Sequence, residues 1–144
     1  MGQTILEKIA QRFTAGGVDA PVRSRDVVRI RPAHVMTHDN SGAVIPKFLS
    51  IGAKRVHDPS QPVFALDHDI QNESPENLAK YEKIRASAAE HGIAFFPAKS
   101  GIGHQIMAEE GFVLPGTLVV GSDSHSNLYG ALGAVGTPVV RTDA

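Results

Sequence analysis

Cysteine is absent from the 144 residues of this chain. That excludes disulfides, thiolate nucleophiles, Cys-ligated zinc and any iron–sulfur cluster held by the chain itself. Tryptophan is absent too and only two tyrosines occur, so platforms for stacking unpaired bases are scarce. No charge of one sign dominates: 14 Lys and Arg face 15 Asp and Glu, for a net charge of −1. Nothing chain-wide therefore pulls the protein toward nucleic acid or an anionic membrane. Long hydrophobic runs are missing; the longest reach about five residues against the roughly 20 of a bilayer span. Met1–Ala20 lacks the charged and apolar regions of a signal peptide, and Glu7 and Asp19 argue against an organelle transit peptide. The expected location is cytoplasmic.

What is present suits a single globular domain over 1–144, with 42% hydrophobic and 20% charged residues, 14 Gly and 9 Pro. Thr4 and Glu7 stand at capping-box spacing, and Ile5, Leu6, Ile9 and Phe13 recur at helical intervals up to Gly16-Gly17. Val27-Val28-Arg29-Ile30-Arg31, bounded by Pro32, predicts a strand. A polar loop from His38 to Gly42 leads into a helix over Ala43–Ile51, with Pro46 in its first turn and Gly52 at its end. The unit then repeats. Val63–Leu66 predicts a strand, Ser74-Pro75 caps a long amphipathic helix closed by Gly92, and Ile93–Phe96 predicts the next strand. A short helix over His104–Glu110, a strand over Leu118–Val120 and a last strand around Val139-Val140 complete the alternation. Strand and helix in turn imply an α/β fold, a mainly parallel sheet with helices on both faces.

In such sheets ligands bind beyond the carboxyl ends of the strands, and His38-Asp39, Asp67-His68, His104 and Asp123-Ser124-His125 all fall there. Each cluster alone has an ordinary reading as a cap, a turn or a satisfied loop histidine. Together they imply one shared site, where carboxylates orient imidazoles for acid–base work or the same groups hold a metal. His57-Asp58-Pro59 reads as a surface turn, His91-Gly92 as a helix end, and His34 carries no signal. A serine nucleophile at Ser124 is disfavoured because the second glycine of G-x-S-x-G is missing. Nucleotide binding is disfavoured because neither the G-x-G-x-x-G spacing nor a P-loop lysine occurs. Gly130, Gly133 and Gly136 read as tight turns and close backbone packing.

Met36-Thr37-His38-Asp39-Asn40-Ser41-Gly42-Ala43-Val44-Ile45, Leu66-Asp67-His68-Asp69, Gly101-Ile102-Gly103-His104-Gln105-Ile106, Pro115-Gly116 and Gly121-Ser122-Asp123-Ser124-His125-Ser126-Asn127 occur in that order. Together with the closing Gly136–Ala144, this succession resembles the amino-terminal part of the aconitase superfamily, on the side of its homoaconitase and 3-isopropylmalate dehydratase branches. The resemblance implies the first domain of that fold and a hydro-lyase reaction, the dehydration and rehydration of a hydroxy di- or tricarboxylic acid. It implies that Asp67 with His68 and Asp123 with His125 assist departure of the hydroxyl, with His104 in the same network. His38 then orients substrate and Ser124 is a hydroxyl donor near a [4Fe-4S] cluster with one open iron.

One departure is large: the family's cluster cysteines lie downstream of the Asp-Ser-His motif, and this chain has none. The serine base and substrate-binding arginines of the family's mobile domain are missing as well. The expectation is therefore the amino-terminal portion of a longer catalytic chain, incomplete as it stands. No cluster is expected on it and none of its residues is expected to be a metal ligand. Its partners would be a small hydroxy-carboxylic acid and the remaining domains or a small swivelling subunit, with no membrane and no nucleic acid. The homoaconitase likeness brings in a mitochondrial alternative to the cytoplasm. Two further readings stay open: a self-contained metal-dependent enzyme using His38, His68, His104 or His125 as ligands, and a cluster-free binding module.

Overall fold

The computed structural model describes residues 2–140. The chain opens with α1 (Ile5–Arg12), held at its start by a capping box: Thr4 Oγ1 accepts from the Glu7 N–H and the Glu7 carboxylate accepts from the Thr4 N–H. Strand β1 is His34–Thr37, followed by α2 (Ser41–Ser50), β2 (Pro62–Ala65), α3 (Pro75–His91), β3 (Ala94–Phe96), α4 (Gly103–Glu109) and β4 (Leu118–Gly121). A 3₁₀ segment over Ser126–Leu132 leads into β5 (Val135–Pro138). Among the described residues the sheet has five strands in the order β3-β2-β1-β4-β5, every pairing parallel.

Strand alternation divides the core between the two faces. Val63 joins Met36, Met107, Val119 and Tyr129 beneath α4 and the 3₁₀ segment, whereas its neighbour Phe64 joins Leu66, Ile84 and Ala88 beneath α3. β3 repeats the rule, sending Phe96 to the first cluster and Phe95 to the second. Helices thus cover both faces. The third helix is the best punctuated: Ser74 accepts from the Asn77 N–H, Pro75 occupies its first turn, and Gly92 closes it with φ of 69°. Ser74→Ala is expected to cost about 1 kcal/mol and Ser74→Gly only a few tenths, read from urea unfolding midpoints.

Three expectations need correction. Residues 27–31 form no strand: the segment makes one isolated bridge, Thr14 to Ile30, and Val27 is fully exposed. β-branched residues favour a pleated surface only where a neighbour supplies the ladder, and β2 and β4 supply it to 34–37. The second helix begins at Ser41, two residues earlier than predicted, so Pro46 lies inside it and withholds the N–H that the Gly42 carbonyl would accept. The last strand is Val135–Pro138, not Val139-Val140, because Leu118–Gly121 pairs with that small-residue stretch. Arg141–Ala144, the end of the family-like closing motif, lies outside the described residues.

Candidate active site

The strand order reverses at β1: β2 and β3 lie to one side of it, β4 and β5 to the other. At such a switch point the loops leaving the two central strands diverge and open a crevice. His38, Asp39 and Asn40 follow β1, Asp67 and His68 follow β2, and Ser122–His125 follow β4. His104 stands in the first turn of α4. Polar contacts stitch the base of the crevice: the Ser122 carbonyl accepts from Asn40 Nδ2 at 2.9 Å and from His38 Nε2 at 3.1 Å, and Ser122 Oγ donates to Asn40 Oδ1 at 2.9 Å.

Above that base lies a cleft of about 770 Å³ lined by Asp67, His68, His104, Asp123 and His125, with Ile102, Leu128 and Leu132 as apolar wall. Asp67 sits between two partners: Oδ1 lies 2.5 Å from His68 Nδ1 and Oδ2 accepts from the Gly103 N–H at 2.6 Å. Asp123 is shared more widely. Its Oδ2 lies 3.2 Å from His68 Nε2, while its Oδ1 lies 2.8 Å from His104 Nε2, 3.2 Å from His125 Nδ1 and 2.7 Å from the His125 N–H. The Tyr129 hydroxyl lies 2.8 Å from His104 Nδ1. Both carboxylates are less than a tenth exposed, whereas the side chains of His68 and His125 are 48% and 77% exposed. The imidazoles of His68 and His125 meet the open cleft and the carboxylates back them, an order suited to moving protons at the cleft surface.

The charges follow from these partners. Burial disfavours an ionised Asp123, yet the His125 N–H and the His104 imidazole outweigh it and hold the carboxyl well below its usual range. For His68, desolvation works against the imidazolium, but the bond to Asp67 and the charges of Asp67 and Asp123 raise its pKa above the ordinary 6.5. His38 moves the other way, lowered by burial and by the nearby His68 charge. A carbonyl only accepts, so His38 Nε2 carries the proton given to Ser122, and Nδ1 is buried with no hydrogen-bond partner, 4.0 Å from Asp39 Oδ2.

A raised folded pKa makes His68 stabilising below pH 6.5, a contribution lost as pH climbs through the folded value. Asp123, lowered, contributes above its ordinary 3.8 and loses that contribution as pH falls. His68→Gln is expected to flatten the alkaline limb of unfolding free energy against pH while leaving the acid limb in place.

All the residues singled out from sequence meet here, in different ways. His38 stacks on His68 with ring centroids 3.8 Å apart, and His104 and His125 approach edge to face at 6.4 Å. Ser124 is exposed at the rim, its Oγ 3.4 Å from His125 Nδ1. His34 and His91 bind backbone carbonyls of Ser60 and Ser87 outside the cleft. Asp39 enters the sequence reading only as part of the His38-Asp39 cluster, with no role of its own, and Tyr81, which donates to Asp39, and Tyr129, beside His104, are not singled out there. Asp39 stands beside His38 in the same motif; the tyrosines have no strand-end signature.

The ligand atoms of His104, Asp123 and His125 lie within 4.8 Å of one another, as do those of His38, Asp39, Asp67 and His68. Such imidazole and carboxylate sets suit zinc or ferrous iron. They do not fit an iron–sulfur cluster, which is held by thiolates, and the chain has no cysteine to give.

The profile of the Aconitase family (aconitate hydratase) matches residues 7–144. The chain is 59% identical over 143 residues to the mitochondrial homoaconitase of Aspergillus niger, covering 99% of this chain and 19% of that protein. It is 57% identical over 143 residues to that of Cryptococcus neoformans, covering 99% and 20%. With the homoaconitase of Candida glabrata the identity is 58% over 144 residues, covering 99% and 21%. The chain therefore spans about a fifth of the length of the curated relatives it matches.

Proposed function

Because this chain belongs to the aconitase family, we propose that its cleft is the acid–base part of a hydro-lyase site. The substrate is a hydroxy di- or tricarboxylic acid, and the relatives' name favours homoaconitate over isopropylmalate. The observation that carries the reading is His68 bridged between two buried carboxylates, with Nδ1 on Asp67 and Nε2 facing Asp123. Protonated, that ring donates from both nitrogens and can give the Nε2 proton to a departing hydroxyl. Asp123 and Asp67 stabilise the imidazolium before transfer, and Asp67, still accepting from Nδ1, fixes the ring afterwards. His125, the most exposed imidazole of the group, is the second group able to exchange a proton with substrate. The backing hydroxyl of Tyr129 and the Asp123 carboxylate occupy both nitrogens of His104, so this ring acts by holding Asp123 in place. His38 supplies a flat neutral surface against His68, and Ser124 a rim hydroxyl for a substrate carboxylate.

The chain, without cysteine, supplies no ligand for the family's [4Fe-4S] cluster. The rest of the reacting machinery belongs to the length the relatives carry beyond this segment, as remaining domains or a separate swivelling subunit. The relatives' mitochondrial designation favours that compartment over the cytoplasm; among the described residues no helix is long and apolar enough to cross a membrane. The test is isomerisation of homocitrate and of isopropylmalate by a polypeptide carrying this chain and the remaining length of its relatives. Turnover of neither would overturn the reading. A second reading, direct metal binding, is favoured by the convergence of His104, Asp123 and His125; stoichiometric zinc or iron surviving gel filtration of the 144-residue chain would support it.

A further inference from the structure

Asp39 lies outside the cleft lining, yet its buried carboxylate accepts four hydrogen bonds. Oδ2 accepts from the backbone N–H of Asp67 at 3.0 Å and of His68 at 2.8 Å, and Oδ1 accepts from the N–H of Asp69 at 3.3 Å and from the Tyr81 hydroxyl. Successive N–H groups turned toward one anion form a nest. Here the anion is a side chain from the neighbouring strand end. The turn that aims Asp67 and His68 is thus wound around Asp39. Tyr81, 42 residues away on α3, ties the same carboxylate to the helix behind the sheet. His38, the residue before Asp39, lies against the His68 ring.

We infer that Asp39, locked by Tyr81, is a positioning residue that sets the aim of the Asp67–His68 pair from behind the cleft. The inference rests on the acid–base reading of His68. Its chemistry is specific. A carboxylate offers acceptors to three N–H groups and a phenol at once, whereas an amide turns one of those acceptors into a donor facing donors. Burial works against the Asp39 charge, and the Tyr81 hydroxyl with the His68 and Asp67 N–H groups more than offsets it, lowering its pKa. Burial, and after it the bond to Asp39, push the Tyr81 phenol up to about 12, so it stays a donor at any working pH.

Two variants test this. Tyr81→Phe keeps the Asp39 charge and removes one hydrogen bond; Asp39→Asn keeps the shape and removes the acceptor set. In the 144-residue chain labelled with ¹⁵N-histidine, the His68 Nδ1 proton shared with Asp67 is followed by NMR alongside the core methyl groups. The expected result is loss or exchange broadening of that proton in both variants, with the methyl spectrum of Val63, Val119 and Ile84 retained. In the longer polypeptide, kcat is expected to fall about 10²-fold for Asp39→Asn, the scale of a misaimed catalytic group, and less for Tyr81→Phe, with KM little changed. An unchanged Nδ1 signal and unchanged kcat in Tyr81→Phe would overturn the inference, as would core methyl shifts that track the kcat loss. If Asp39→Asn does not fold, Tyr81→Phe decides alone. A longer polypeptide with no turnover would count against the hydro-lyase reading, while the Nδ1 signal would still judge the positioning role.

Discussion

His68→Ala, in a polypeptide carrying this chain with the remaining length of its relatives, is expected to lower turnover by about 10²–10⁴-fold, the usual contribution of a positioned acid or base. Above the folded pKa of His68, where its ionic contribution to stability is gone, the thermal midpoint should move little, because the side chain is half exposed. Asp67→Asn should lose nearly as much, since an amide cannot stabilise the imidazolium that Asp67 faces at 2.5 Å. His125→Ala belongs with them. His57→Ala and His91→Ala are the controls: His57 stands in an exposed turn, and the His91 ring binds the Ser87 carbonyl at the far end of α3. Turnover, KM and thermal midpoint measured on all five variants decide the matter. Equal losses in the controls at equal stability would remove His68 from the chemistry.

The second large effect concerns stability. Gly136 lies in β5 where a side chain has no room: an added methyl would overlap the Ser126 carbonyl oxygen and carbon and press on Tyr129 Cβ. Backbone atoms cannot swing aside as a flexible side chain does, so Gly136→Ala is expected to cost about 3 kcal/mol or more, the upper end of overpacking. Gly130→Ala is the control, in the 3₁₀ segment that precedes β5, with nothing within 4 Å of its added methyl; it should stay within about 0.5 kcal/mol. Urea unfolding of both variants measures the difference. Because Tyr129 holds His104, which in turn holds Asp123, Gly136→Ala should also disturb the cleft even where the protein remains folded.

The site is legible in the sequence to the extent that it obeys strand-end placement. Asp67-His68 and Asp123-Ser124-His125 follow apolar runs that can only be buried strands, and a parallel sheet sends those ends to one edge. The α3 boundaries are legible for a similar reason, since Ser74, Pro75 and Gly92 act locally on the backbone. Asp39 with Tyr81 is not legible, because their contact depends on how α3 is rotated against the sheet, a matter of packing. Residues 27–31 mislead for the opposite reason: their β-branched composition suits a strand, and the fold offers them no neighbour beyond a single bridge. Tyr129 is wholly buried in the core, and its hydroxyl's duty toward His104 leaves no trace in composition or spacing.

The Ser122 carbonyl that receives His38 and Asn40 lies 84 and 82 residues from them along the chain. β1 finds β2 across a short crossover, but it meets β4 only after three helices and two other strands have been threaded past. Closing so long a loop costs entropy before any contact compensates it, and distant parallel pairings are slow to form. The half of the cleft built from Asp67 and His68 can therefore assemble with the first βαβ unit. The half built from His104, Asp123 and His125 depends on β4 docking beside β1, so completing the cleft carries the entropy of the longer loop closure.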